Sequence, residues 1–177
     1  MARFFFALDL PKETKQALQT VQLACEPALP KPTKLTNLHL TLIFLGNVEP
    51  KKLYNLSAYA NQLRQEITST VPIIINHADV FKKPKVVFAG LHQVPQWLNT
   101  CHQRLLRKAT GLGINVENQH FYPHITLSRK VIELPEYQRF DIKSAIESFS
   151  LYRSDSTPNG VHYTRVQLFK FNNTNQM

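Results

Sequence analysis

Cysteine is scarce in this chain: only Cys25 and Cys101 occur among its 177 residues. No C-x-x-C pair and no zinc-ligand spacing exist, so a disulfide framework and a structural zinc site are both excluded. Each cysteine falls on the apolar side of an expected helix and is read as a reduced core residue. Long apolar runs are missing too. The start, MARFFFALDL, holds one Arg and a short run that ends at Asp9, too short for a signal h-region. No later run reaches the roughly 18 apolar residues of a membrane span. The expectation is a cytoplasmic protein with no membrane partner. Acid is in deficit, with 12 Asp+Glu against 21 Lys+Arg, a net charge of +9. That balance favours an anionic partner, of which nucleic acid or nucleotide is the first class to consider.

What is present fits one globular domain spanning 1–177, with 43% hydrophobic and 19% charged residues. RFFFALDL (3–10) is short and Phe-rich, which predicts a buried strand. Pro11 then opens a helix, with Ala17, Leu18, Val21, Ala24 and Cys25 on one face. Prolines in EPALPKPTK stop it. LHLTLIFLG (38–46) predicts a strand, and Pro50 opens a helix carrying Leu53, Leu56, Ala60, Leu63 and Ile67 inward. VPIIINHADVF (71–81) and KVVFAGL (85–91) read as two strands joined by a turn at KKPK (82–85). A third helix is predicted from about Pro95 to Ala109, with Leu98, Cys101, Leu105 and Leu106 inward. GLGINVENQHFYP reads as loop and short strand, then HITLS as strand. A polar stretch follows. ESFSLYRS (147–154) and GVHYTRVQLFKF (160–171) then flank the hairpin signal DSTPNG, and the tail NNTNQM is expected to fray.

The order contains a repeat. FFFAL, Pro11, helix and HLTL match VVFAGL, Pro95, helix and HITL at a nearly constant offset. Duplicated strand–helix–strand units at about 3–46 and 85–130 predict an α+β fold: two pseudo-symmetric lobes, antiparallel sheets facing a central cleft, helices outside. Side chains alternate along a strand. His39 and Thr41 therefore share one face while Leu40 and Leu42 bury in the other, and His124 and Thr126 repeat the pattern against Ile125 and Leu127. A pseudo-twofold would bring two imidazoles and two hydroxyls to one point.

That set suits phosphodiester cleavage. A neutral imidazole can deprotonate the nucleophile while a protonated one delivers a proton to the leaving oxygen, because histidine titrates near neutral pH. The hydroxyls can donate to non-bridging phosphate oxygens, and Arg129 can add a bidentate cationic contact. No carboxylate cluster accompanies the histidines, which argues against a two-metal site; no metal and no cofactor are expected. His120, four residues before His124, is followed by Pro123 and has no acidic or Cys neighbour, which leaves a metal-ligand role unsupported. Chance alone supplies about half an H-x-T match from the 7 His and 13 Thr. A third match, His162-Tyr163-Thr164, has Arg165 where the aliphatic residue should be and lies outside the repeat, so it is read as accidental. His77, His92 and His102 show no partner pattern and are read as structural or exposed.

At NLHLTLIFLG and FYPHITLSR the chain resembles the two-histidine phosphoesterase superfamily. With RFFFALDLP, VVFAGL and the closing SLYRSDSTPNGVHYTRVQLFKF, it resembles more closely the RNA 2′,3′-cyclic phosphodiesterases, also known as bacterial and archaeal 2′-5′ RNA ligases. The resemblance implies metal-independent hydrolysis of an RNA 2′,3′-cyclic phosphate to a 2′-phosphomonoester; a monomer is expected. It also implies His39 as proton donor, His124 as proton acceptor, and Thr41, Thr126 and Arg129 as phosphate contacts. Some members join tRNA halves through a 2′-5′ bond. LPKPTKLTNLH departs from the aromatic and Pro-Glu-Asn that relatives often carry there, which bears on base contacts rather than on chemistry. Its lysines, KKPK, and Arg104, Arg107 and Lys108 are candidate grips on an RNA backbone. Small cyclic nucleotides or ADP-ribose cyclic phosphates as substrates, and a non-catalytic RNA-binding module, remain the alternative readings.

Overall fold

Prolines set where the helices begin. Pro11, with φ −54°, is the N-cap of α1 (Lys12–Ala24); Pro50 is the first residue of α2 (Pro50–Leu63); Pro95, with φ −60°, caps α3 (Gln96–Gly111). The fixed φ suits a helix start, and the missing N–H is one the first turn could not have paired. The computed structural model describes residues 2–25, 29–67, 70–117, 119–131, 133–158 and 160–172. The fraying expected at the tail therefore lies, for 173–177, outside the described residues. So does Asn159 in the predicted hairpin turn.

Among the described residues ten strands accompany the helices: β1 (Arg3–Leu8), β2 (Lys31–Pro32), β3 (Leu40–Gly46), β4 (Val71–Ile75), β5 (His77–Phe81), β6 (Val86–Gly90), β7 (His124–Arg129), β8 (Ile142–Ile146), β9 (Ser148–Thr157) and β10 (Gly160–Lys170). One antiparallel sheet runs β10-β9-β1-β3 and the other β2-β7-β6-β5; β4 and β8 form a two-stranded ribbon. The architecture is the expected α+β pair of lobes. Each His-x-Thr segment lies beside the strand that opens its unit: Thr41 is opposite Ala7 and Thr126 opposite Phe88, each next to a register shift.

The lobes are interlocked rather than merely adjacent. α1 packs on β7 and β8, α3 packs on β3, and β3 itself approaches β7. Gln22 on α1 donates to Leu127 O (2.7 Å) and Thr33 O (3.0 Å). His102 on α3 is buried, donates from Nδ1 to Leu42 O (2.7 Å) and stacks on Phe121 at 4.3 Å. One buried cluster runs through both sheets, with Phe6, Phe149 and Phe169 packed ring on ring in the first lobe. Each fully buried Phe contributes about 2–3 kcal/mol. Among the described residues no helix is long and apolar enough to cross a membrane.

Four expectations need correction. Residues 71–81 form two strands in different sheets, because the chain breaks at Asn76, whose N–H donates to Gly90 O. The polar stretch before residue 147 contains β8, whose inward position holds a serine: Ser144 is buried and hydrogen-bonds Thr14 at 2.7 Å. That pairing also turns α1, so Thr14 and Gln22 are buried while Ala24 is exposed. No strand forms among the described residues between α3 and β7; Ile114 and Val116 enter the core from a loop.

Candidate active site

His39 lies one residue ahead of β3 and His124 opens β7. The residues that flank each imidazole bury behind it: Leu38 and Leu40 on one side, Pro123 and Ile125 on the other. Both rings are held by the same local device. His39 Nδ1 donates to Asn37 O at 2.7 Å, and His124 Nδ1 donates to Tyr122 O at 2.7 Å. A carbonyl only accepts, so each Nδ1 carries the hydrogen and each Nε2 is left to face its surroundings with a lone pair or a second proton. His39 Nε2 also meets Thr41 Oγ1 at 3.1 Å, as alternation along the strand requires.

The two imidazoles line one cleft of about 520 Å³, together with Thr41, Thr126 and Arg129. All five residues singled out in the sequence are therefore brought together. Arg3, Lys31 and Lys34 add positive charge, and among the described residues no Asp or Glu lines the cleft. This is a field for an anion. β2 brings Lys31 directly opposite Arg129. The other basic candidates lie elsewhere. Arg104 is engaged by Glu66 and the Tyr59 hydroxyl, Lys108 sits over the Tyr59 ring, and neither α3 nor the 82–85 turn contributes to the cleft lining.

An aromatic collar surrounds the imidazoles. Phe5 lies 5.0 Å from the His39 ring, and Tyr163 meets it edge-on at 5.1 Å. Phe81 (5.1 Å) and Phe88 (5.6 Å) present edges to His124. Removing water from the imidazoles disfavours their charged form. Burial, opposed in part by the Asn37 carbonyl and reinforced by His124, Lys15 and Arg129, pushes His39 down to about 4. Burial also lowers His124 from its ordinary value, opposed by the Tyr122 carbonyl and reinforced by Arg129.

Tyr163 is a site residue that the sequence concealed. It is the middle residue of the third H-x-T match. His162 and Thr164 share the exposed face of β10, their side chains 3.4 Å apart, while Tyr163 points the opposite way to His39. Alternation along β10 was the available signal. Arg165, on the Tyr163 face, pairs with Asp9 at 3.2 Å. Asp9 also accepts from Ser148 (2.8 Å), Ser150 (2.7 Å) and Tyr152 (2.6 Å), which anchors β9 and β10 behind His39. Among the described residues no group of three or more His, Cys, Asp or Glu is arranged to hold a metal ion.

Comparison with known proteins places the chain in a family. The family model described as the 2′-5′ RNA ligase superfamily matches residues 9–175. The RNA 2′,3′-cyclic phosphodiesterase of Escherichia coli is 32% identical, over 93% of this chain and 94% of its own length. That of Thermus thermophilus is 29% identical, over 94% and 89%. Among solved structures, E. coli LigT complexed with 3′-AMP superposes with a TM-score of 0.86 at 31% identity, covering 96% of this chain and 97% of that one. A structure titled only as a phosphoesterase gives 0.86 at 30% identity, covering 97% and 99%. Agreement in sequence and in fold over nearly the full length leaves one placement: the chain belongs to the 2′-5′ RNA ligase superfamily.

Proposed function

We propose that this protein is a metal-independent phosphodiesterase that opens 2′,3′-cyclic phosphate ends of RNA to 2′-phosphomonoesters. The observation that carries the reading is the pair of imidazoles, each fixed through Nδ1 to the carbonyl two residues before it and each presenting Nε2 to one cationic cleft. The family and its relatives named RNA 2′,3′-cyclic phosphodiesterase support the substrate class.

In this mechanism water attacks the cyclic phosphorus. His124 Nε2 takes the water proton as the new P–O bond forms. His39 gives its Nε2 proton to the 3′ oxygen as the P–O3′ bond breaks, leaving a 3′-hydroxyl and a 2′-phosphate. Thr41 turns its O–H toward a non-bridging oxygen; Thr126 donates to the other. Arg129 offsets the charge that builds on the phosphate. A 5′-hydroxyl in place of water would give a 2′-5′ bond by the same displacement, which is how tRNA halves would be joined. The chain acts in this reading as a cytoplasmic monomer, one two-lobed domain derived from a duplicated strand–helix–strand unit.

The test is a short RNA ending in a 2′,3′-cyclic phosphate, incubated in EDTA with wild type, His39→Ala and His124→Ala. Conversion to the 2′-phosphate by wild type, reduced at least about 10²-fold in each variant, supports the assignment. Equal turnover by the variants, or a wild type active only on mononucleotide cyclic phosphates, overturns it.

A further inference from the structure

The second lobe holds a second recess that the catalytic cleft does not use. It has a volume of about 540 Å³ and is lined by Asn76, His77, His92, Tyr137, Arg139, Phe140 and Asp141. The two recesses share no lining residue among those described, yet they are physically connected. His77 is opposite Gly90 on β6, and Gly90 is opposite His124 on β7, so His77 and His124 occupy one row on one face of the sheet. Two strand spacings put them roughly 10 Å apart. A chain of rings spans the gap: His124 to Phe88 at 5.6 Å, Phe88 to His77 at 6.3 Å, His77 to His92 at 4.4 Å.

The stack is built rather than incidental. His77 lies so close over Gly90 that a Cβ there would meet its ring at 2.6 Å. His92 lies nearly parallel on His77, at 18° between planes, and its backbone N–H is held by Asn76 Oδ1 at 3.0 Å. Among the described residues His77 Nδ1 is buried with no hydrogen-bond partner, a cost the fold carries to keep the ring in place. Tyr137, held by its hydroxyl on Ala78 O at 3.2 Å, and Phe140 contribute further rings. His92 itself is exposed.

We propose that this recess is a stacking subsite for a nucleobase of the RNA strand, upstream of the reacting cyclic phosphate. The proposal rests on the cyclic-phosphate-opening reading above and extends it from the terminal nucleotide to the strand behind it. Flat rings with one exposed face are what single-stranded bases stack on, with little dependence on sequence. Arg139 and Asp141 together suit a base edge, which offers both acceptors and donors; a phosphate would be repelled by Asp141. The volume suits a small organic group. At roughly 3.4 Å or more of strand per nucleotide, the separation from His124 corresponds to at most about three nucleotides.

The experiment compares kcat/KM for a nucleoside 2′,3′-cyclic monophosphate and for a tetranucleotide with the same cyclic end, in wild type, His92→Ala, His92→Phe and Arg139→Ala. The expected result is a tetranucleotide advantage of about ten-fold in wild type. His92→Ala should lose most of it with the mononucleotide rate unchanged, His92→Phe should keep it, and Arg139→Ala should weaken it. No advantage in wild type, or an advantage that survives His92→Ala, overturns the proposal. So does an equal loss on both substrates. If wild type turns over neither substrate, the catalytic reading fails, and fluorescence anisotropy with a labelled single-stranded tetranucleotide decides the subsite by itself. Binding weakened about ten-fold by His92→Ala and kept by His92→Phe would support it; unchanged binding would overturn it.

Discussion

In the unliganded cleft, burial pushes His39 down to about 4 from 6.5 and also lowers His124. At pH 7 only about one His39 in a thousand then carries a proton. The mechanism needs that proton on His39, so binding must supply what the empty cleft withholds. Bringing the ring back to 6.5 requires about 3 kcal/mol. A phosphate charge roughly 5 Å from an imidazolium, at an effective dielectric near 20, supplies about 3 kcal/mol. The two magnitudes match, and Coulomb repulsion from His124 keeps the second ring neutral once the first is charged. The perturbation is therefore an anion, inorganic phosphate or a 2′-nucleotide. The assay is the pH titration of the imidazole resonances by NMR, with His39 and His124 assigned from single variants. Without ligand, His39 should stay neutral from pH 8 down to about 5. With ligand, His39 should rise by about 2. If His124 holds the proton in the complex, the donor and acceptor assignments are reversed. If neither ring responds to the anion, the electrostatic reasoning is wrong.

Other consequences follow from the same contacts. Arg129→Gln removes a cation that disfavours both imidazolium forms, so the acid limb of the kcat/KM profile should move to higher pH while phosphate affinity falls. Thr41→Val or Thr126→Val should lower kcat/KM by about 10² without altering the thermal midpoint by more than a few degrees. Asp9→Ala strands three hydroxyls and the Arg165 guanidinium behind the site; at about 3 kcal/mol, scanning calorimetry should show the midpoint falling by roughly 6–12 °C. Both cleft histidines have lowered folded values, so the stability they confer is complete above 6.5. It should decline in equilibrium denaturation as pH falls from there toward 4. EDTA should leave turnover unchanged; a loss restored by zinc or manganese would refute the metal-free mechanism.

Local pattern carried much of this protein. Alternation over two short strands fixed that His39 and Thr41 share a face, and His124 and Thr126 likewise, because a strand has a period of two whatever surrounds it. Proline placement marked all three helix starts for a similarly local reason. The spacing of the two motifs pointed to a repeat, and so to one shared cleft. Other features depended on partners distant in the chain. Ser144 looks like a loop residue until Thr14 arrives to pair with it from 130 residues away. VPIIINHADVF has no internal sign of its break, since only the separate demands of β8 and β6 pull its two halves into different sheets. Tyr163 reads as the centre of an accidental motif until β10 is laid beside the site. The sequence by itself determined which residue types could do the chemistry and which of them share a strand face. The tertiary structure alone decided their surroundings: which rings exclude water from the imidazoles, which cations face them, and what continues the sheet beyond His124. Those properties depend on burial and on distances across the chain, and no local period encodes them.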